Sequence, residues 1–362
     1  MNRDFKAIVT VFLLFFGCCF LFKGILLKTS SNEPVVVSGS KRLANEIAIL
    51  SERKQGENTT VTVSTATTPE DYSFEDLNNI NVRLPDALII GVKKSGTSAV
   101  KDFLRLHPDV QMPYDEIHFF DQHYDEGIDY YRSKLPTNVT SGQVIMEKTP
   151  AYFHDEFSAN RIMATFGTKV KLIVVVRNPI NRMLSDYVHD QLLYRSLPSF
   201  QSLVFISNNR TGAKFVNTAF GPVIRSSYVI HLLRFLNIGF SLDNFLFIDG
   251  DNLAQNPGKE LVKIEKFIGL KPMITESMFE YNQGKGFPCL KDPFTFADGS
   301  VHYGGFGSVK MPHICLDKDK GRPDEMKPNL TMAEREMFHH YFAPLNELFF
   351  DITGMKQLDW FK

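Results

Sequence analysis

The chain carries almost no net charge: 40 lysines and arginines face 41 aspartates and glutamates, leaving −1 at neutral pH. This balance argues against a surface that binds nucleic acid throughout, and it confines any polyanion site to a local patch. Cysteine is scarce as well. Cys18 and Cys19 lie in an apolar N-terminal run as lipid-facing packing residues, which leaves Cys289 and Cys315 as the candidates for an intradomain disulfide. Tryptophan occurs once against 32 phenylalanines, which points to a phenylalanine-rich core and to no particular function. No internal repeat is apparent. What remains is 362 residues, 43% of them hydrophobic, enough to bury a large core in one main domain with accessories.

Residues 1–6 read as a cytoplasmic tail and 7–27 as a signal-anchor transmembrane helix. Ala7 to Phe22 is apolar without interruption, and Gly24 to Leu27 extends it past Lys23. That just reaches the ~20 residues a membrane helix needs. Leu26-Leu27-Lys28 lacks the small residues of a cleavage site, which disfavours a signal peptide. Arg3, Asp4, Lys6 and Lys28 do not fix the orientation. Residues 28–83, rich in Ser, Thr, Asn and Glu, bury little apolar surface and are expected to form a flexible stem, leaving 84–362 for the globular domain. Asn58, Asn138, Asn209 and Asn329 each open an Asn-x-Ser/Thr sequon. Such sites beyond an anchor predict a lumenal, glycosylated, single-pass type II protein. In an oxidising lumen a Cys289–Cys315 bridge would stabilise by ~3–4 kcal/mol. The glycine-containing, aperiodic segment Asp292 to Pro312 favours that bridge over two buried thiols.

The domain is organised around Leu84 to Leu106. Ala87 to Val92 reads as a buried parallel strand, and Val100, Phe103, Leu104 and Leu106 recur at helical spacing. Gly91 to Thr97 is therefore a strand-to-helix turn, whose unpaired N–H groups attract a phosphate. Lys94, Thr97 and Ser98 add charge and hydroxyls there. Gly91 and Gly96 have the spacing of an NTPase loop, but Thr97 stands where the Walker lysine belongs. A kinase reading loses its key residue, while a glycine turn with solvated lysines stays open for this loop taken alone. Lys93-Lys94-Ser95-Gly96-Thr97-Ser98 resembles the 5′-phosphosulfate loop of sulfotransferases.

Beyond the loop, strands at Val144 to Met146, Lys171 to Val176 and Phe245 to Ile248 alternate with helices. The helices are expected at Asp155 to Phe166, Asn181 to Leu192, Arg225 to Leu236, Pro257 to Ile268 and Met332 to Phe350. Alternation of this kind predicts an α/β fold, a central parallel sheet flanked by helices, with ligands at the carboxyl ends of the strands. Arg177 ends one strand and Ser185 lies about two turns into the next helix, a pairing suited to a second phosphate. Taken alone, Arg177 also fits an ion pair capping the sheet.

From Leu84 to the C-terminus the chain resembles the sulfotransferase domain of the heparan sulfate glucosamine 3-O-sulfotransferase family. The matching runs begin with Leu84-Pro-Asp-Ala-Leu-Ile-Ile-Gly-Val, Leu106-His-Pro-Asp-Val, Glu116-Ile-His-Phe-Phe-Asp and Glu147-Lys-Thr-Pro-Ala-Tyr-Phe. They continue with Arg177-Asn-Pro and Leu184-Ser-Asp-Tyr, Ile248-Asp-Gly-Asp, Lys285-Gly-Phe-Pro-Cys-Leu and Lys320-Gly-Arg. The resemblance implies a P-loop-like sulfotransferase fold at the Golgi membrane. It implies 3′-phosphoadenosine 5′-phosphosulfate as donor, heparan sulfate as acceptor and no metal.

A sugar hydroxyl is a poor nucleophile at neutral pH, so a carboxylate must take its proton, and Glu116 is the candidate base. His118, two residues along an extended segment, would share its face. The resemblance implies that His118 and Asp121 contact the acceptor or support the base, and that Lys94 stabilises charge on the departing phosphate. It also implies a donor cradle of Lys94, Ser95, Gly96, Thr97 and Ser98, a 3′-phosphate site at Arg177 and Ser185, and closure by Lys320, Gly321 and Arg322. Lys93, Lys148, His189 and Lys285 are the expected acceptor contacts. Two departures bear on the acceptor: Ser98 and His189 stand where the family has arginine and glutamine. The longer span between Cys289 and Cys315, with Tyr303, Phe306, Lys310 and His313, is a further expected determinant of acceptor choice. Sulfation of another position or another glycosaminoglycan, and a glycan-binding relative without chemistry, are the alternatives.

Overall fold

The computed structural model describes residues 82–194, 196–282, 287–302, 326–356 and 360. The expected tail and anchor, nearly all of the stem, Asn58, Lys285, Cys315 and Lys320 to Arg322 lie outside the described residues, as do Tyr303, Phe306, Lys310 and His313. Among the described residues no helix is long and apolar enough to cross a membrane.

In chain order, β1 (Ala87–Gly91) leads through the glycine loop into α1 (Thr97–Leu104) and the short β2 (Val110–Gln111). A π-helical turn (Phe119–His123) precedes α2 (Gly127–Ser133), β3 (Val144–Lys148), α3 (Ser158–Phe166), β4 (Lys171–Val176) and α4 (Pro179–Leu193). Next come α5 (Phe200–Val204), a hairpin of β5 (Phe205–Ser207) and β6 (Lys214–Val216), α6 (Gly221–Ser226) and α7 (Tyr228–Asn237). The chain continues through β7 (Phe245–Asp249), α8 (Gly250–Leu253) and α9 (Pro257–Phe267). Two antiparallel pairs follow, β8 (Phe279–Asn282) with β9 (Phe287–Leu290) and β10 (Phe294–Thr295) with β11 (Val301–His302), before α10 (Met332–Thr353).

The central sheet has the order β2-β3-β1-β4-β7 and every pairing in it is parallel. All five residues of β1 are buried, as the apolar run requires of a strand covered on both faces. The connection after β1 runs to the β2 edge of the sheet and the connection after β4 to the β7 edge, so the adjacent carboxyl ends of β1 and β4 form a switch point suited to a ligand. One apolar cluster joins α1 and α9 to the sheet through Ile89, Val100, Phe103, Ile173 and Ile264, and a second joins α4, α5 and α10 through Tyr187, Phe200, Phe338 and Phe342.

Local chemistry explains where element ends depart from the apolar pattern. α4 starts at Pro179 because the Asn178 side chain accepts from the N–H groups of Ile180 and Asn181 at 2.9 and 3.1 Å. α3 starts at Ser158, not Asp155, because the Asp155 carboxylate accepts from the N–H groups of Phe157 and Ser158 at 3.0 and 2.8 Å. The helix expected over Arg225 to Leu236 is two helices, broken at Ser227, whose hydroxyl turns back onto the Val223 carbonyl at 3.1 Å. β3 continues beyond Met146 through Glu147 and Lys148, both buried.

A fully buried arginine ties the loop after β1 to the helical layer. Arg182 donates to the Lys93 carbonyl at 3.0 Å, to Asp186 at 2.9 Å and to the Ser226 hydroxyl at 2.7 Å. Asp186 also meets Arg225 at 2.6 Å and Lys93 at 3.3 Å. Burial alone would raise the Asp186 pKa, but Arg182, Arg225 and Lys93 hold it well below the ordinary carboxylate range. Removing one partner of a buried pair strands the other charge. Arg182→Ala is therefore expected to cost about 3–5 kcal/mol in a denaturant melt, and a loss within error of zero would refute this role.

Candidate functional site

The loop after β1 is shaped by backbone constraints. Lys94 and Gly96 both have positive φ, 70° and 107°, and Gly96 caps α1 without any side-chain hydrogen bond. Val92 N–H donates to the Val175 carbonyl and Ser95 N–H to the Val92 carbonyl, both at 3.0 Å, which pins the turn to β4. A Cβ on Gly250 would lie 2.3 Å from the Ser95 carbonyl oxygen, so α8 approaches this loop as only glycine allows. The Ser95 hydroxyl is buried without a hydrogen-bond partner. An uncapped helix start beside an unsatisfied buried hydroxyl and Lys94 fits the phosphosulfate end of a nucleotide donor.

At the end of β4, Arg177 donates from Nε to Asp251 at 3.2 Å, and the other Asp251 oxygen accepts from the Asn178 N–H at 2.8 Å. Tyr228 holds the Arg177 carbonyl at 2.8 Å. Ser185 is half-buried on α4, as is His189. Lys93 pairs with Asp186 and Asp190, each at 3.3 Å.

The second half of the site gathers around Glu116. One Glu116 oxygen accepts from Lys148 in a short ion pair, and the other lies 3.3 Å from His118 Nε2. His118 Nδ1 meets Asp121 at 2.8 Å. Lys148 also reaches the Ser98 hydroxyl in the first turn of α1 at 3.5 Å. Glu116, His118, Asp121, Lys148 and Ser98 thus form one connected chain beside the glycine loop.

The segment is not extended as expected. His118 has φ 55° and ψ 32°, a left-handed conformation, and begins the π-helical turn. It reaches Glu116 through that turn and not through strand alternation. Behind it lie Glu147, Thr149 and Tyr152, which stand in one of the matching runs but to which the sequence assigns no role. Their visible signal was a carboxylate following the apolar residues of β3.

Burial alone would raise the Glu116 pKa, but the His118 hydrogen bond and the Lys148 charge lower it to about 2. The Asp121 hydrogen bond, then that of Glu116, raise His118 to about 10. At neutral pH the site therefore holds an ionised carboxylate between an ammonium and an imidazolium. Both carboxylate and imidazole remain about a third exposed, at 33% and 29%, so a substrate can reach them. No group of residues suited to a metal ion occurs among the described residues. Cys289 is buried in β9 and disulfide-bonded, and Asn138, Asn209 and Asn329 are exposed.

Comparison with known proteins agrees with the fold. Residues 84–351 match the sulfotransferase domain family. A solved sulfotransferase from Alicyclobacillus acidocaldarius shares the fold, with a TM-score of 0.54 at 17% identity, covering 78% of this chain and 100% of that one. The heparan sulfate glucosamine 3-O-sulfotransferase 6 of Mus musculus is 41% identical over 272 residues, 75% of this chain and 72% of the relative. The 3B1 and 5 enzymes of the same mammal are 40% and 35% identical, over 75% and 78% of this chain and 64% and 76% of theirs. The chain belongs to the heparan sulfate glucosamine 3-O-sulfotransferase family, and it is a sulfotransferase.

The charge pattern has a measurable signature. Lowering of the Glu116 pKa contributes stability above 4.5 that is lost as pH falls through about 2. Raising of the His118 pKa contributes stability below 6.5 that is lost as pH rises through about 10. An NMR titration of the His118 imidazole is expected to show a midpoint near 10, moving toward 6.5 in Asp121→Asn, whose hydrogen bond is the largest cause. A wild-type midpoint at 6.5 would disprove the charge assignment.

Proposed function

We propose that the chain transfers a sulfuryl group from 3′-phosphoadenosine 5′-phosphosulfate to the 3-hydroxyl of glucosamine residues in heparan sulfate, with Glu116 as general base. The observation that carries this reading is Lys148, which touches both Glu116 and the first turn of α1. It joins the carboxylate to the anion-suited loop.

The donor supplies a sulfuryl group on a phosphate leaving group. Glu116, kept ionised by Lys148 and His118, accepts the proton of the sugar hydroxyl as the hydroxyl attacks in line. Asp121 keeps His118 protonated and oriented, so the imidazolium steadies Glu116. Lys94, Ser95, Gly96, Thr97 and Ser98 hold the 5′ end, and Lys94 offsets charge developing on the leaving oxygen. Arg177 and Ser185 take the 3′-phosphate, with Lys320, Gly321 and Arg322 closing over it. Lys93, Lys148, His189 and Lys285 serve the acceptor.

Three further readings belong to this proposal and rest on the sequence. Residues 7–27 anchor the chain in the Golgi membrane as a single-pass type II protein, with 28–83 as a stem. Cys289 pairs with Cys315. The exposure of Asn138, Asn209 and Asn329 supports glycosylation in the lumen.

Transfer of labelled sulfate from the phosphosulfate donor to heparan sulfate, followed by disaccharide analysis, tests the activity. Label in the 3-position is expected, and label elsewhere or on another glycosaminoglycan would redirect the acceptor assignment. Glu116→Gln should bind adenosine 3′,5′-bisphosphate normally and lose transfer by roughly 10²- to 10⁴-fold; full activity would remove Glu116 from the mechanism. Arg177→Ala should weaken that nucleotide about ten- to a hundredfold in calorimetry, the loss of one charge-assisted contact worth ~1.5–3 kcal/mol.

A further inference from the structure

Glu147 is fully buried on β3, next in sequence to Lys148, and Asp121 is the charge that acts on it across the site. Its surroundings are hydroxyls. One carboxylate oxygen accepts from Thr149 Oγ1 at 2.5 Å and the other from Tyr131 OH at 3.3 Å, with Tyr152 near enough to feel its charge. Two of these hydroxyls lead on to the active-site turn. The His118 N–H donates to Thr149 Oγ1 at 3.3 Å, and the Phe119 N–H donates to Tyr152 OH at 2.9 Å.

The ionised carboxylate sets the direction of the bond to Thr149. A hydroxyl has one proton, and a carboxylate can only accept, so Thr149 donates to Glu147 and presents its lone pairs outward. The His118 N–H meets one of them at the start of the π-helical turn. His118 is left-handed there, a conformation that persists in a non-glycine residue only where its surroundings hold it. The His118 contacts to Glu116 and Asp121 depend on it.

We propose that Glu147 is a positioning residue: through the Thr149 hydroxyl it holds the backbone N–H of His118, and so sets the imidazole against the Glu116 base. The proposal rests on the role of Glu116 given above. A stability role is disfavoured on physical grounds. A buried carboxylate served by hydroxyls and beside another carboxylate is costly to keep ionised, and burial pushes its pKa up to about 7. Tyr131 of α2, Tyr152 and Asp121 are the titratable groups that face it, and Leu88 of β1 is its strand neighbour.

Glu147→Gln keeps the shape but places an N–H₂ where an acceptor stood. Thr149 and Tyr131 then compete for a single acceptor oxygen, which weakens the pull that orients the Thr149 hydroxyl. The variant is expected to melt no lower than wild type and to bind adenosine 3′,5′-bisphosphate unchanged. Its kcat should fall roughly 10- to 100-fold, the scale of a displaced catalytic group. The His118 imidazole titration should leave its wild-type midpoint. In wild type kcat should decline as pH falls through about 7, a limb absent from the variant. Thr149→Val, which removes the linking hydroxyl and leaves Glu147, should give a loss of the same kind, and the double variant should lose no more than the larger of the two single losses.

Wild-type kcat and an unmoved His118 titration in Glu147→Gln would overturn the proposal, as would a fall in kcat matched by lost nucleotide affinity and a lower melting temperature. If Glu147→Gln fails to fold, the titration and kcat of Thr149→Val decide in the same way. The His118 titration reads geometry without activity, so it separates this proposal from the base assignment. Full activity in Glu116→Gln would remove the base, while an unmoved titration in Glu147→Gln would remove the positioning.

Discussion

The contact on which the site depends is the buried ion pair of Arg182 and Asp186. It lies on α4, yet its reach is wider: the guanidinium holds the Lys93 carbonyl in the glycine loop and the Ser226 hydroxyl on α6. Neither charge has solvent to fall back on, so each is affordable only with the other in place. Geometry in the loop is therefore inherited from helix packing. Gly250 adds a second restraint, with α8 held against the Ser95 carbonyl at a distance any side chain would violate.

On the other side of the loop, charge is balanced within a few side chains. Glu116 is flanked by Lys148 and His118, and His118 by Asp121, so signs alternate through the site. Such alternation keeps a carboxylate ionised at neutral pH while leaving it partly open to solvent. In the proposed reaction Glu116 would take the hydroxyl proton only as the oxygen bonds to sulfur and the proton becomes acidic, and the imidazolium would contribute charge and direction.

Much of the fold was legible in the sequence because its signals are local. Leu172 to Val176 is an uninterrupted β-branched and leucine run, Asn178-Pro179 is a cap followed by a helix-starting proline, and Thr331 with Glu334 forms a capping box. The motif residues Glu116, His118, Asp121 and Lys148 were legible as types. Their partnerships were not, since Glu116 and Lys148 meet across 32 positions and no period encodes such a contact. The turn at His118 was hidden for a different reason. A left-handed residue other than glycine has no compositional mark, and here its support comes from Thr149 and Tyr152 on a later segment. Asp251 stands in the Ile248-Asp-Gly-Asp run, but its partnership with Arg177 was hidden because a carboxylate after a helix cap looks like solvated surface until β7 sets it beside β4.

That carboxylate has a consequence for how Arg177 meets any anion. Its guanidinium is engaged by Asp251, whose other oxygen is tethered to the Asn178 N–H. The contact uses Nε at 3.2 Å, so an anion at the terminal nitrogens would share the guanidinium with the Asp251 carboxylate, which offsets part of its charge.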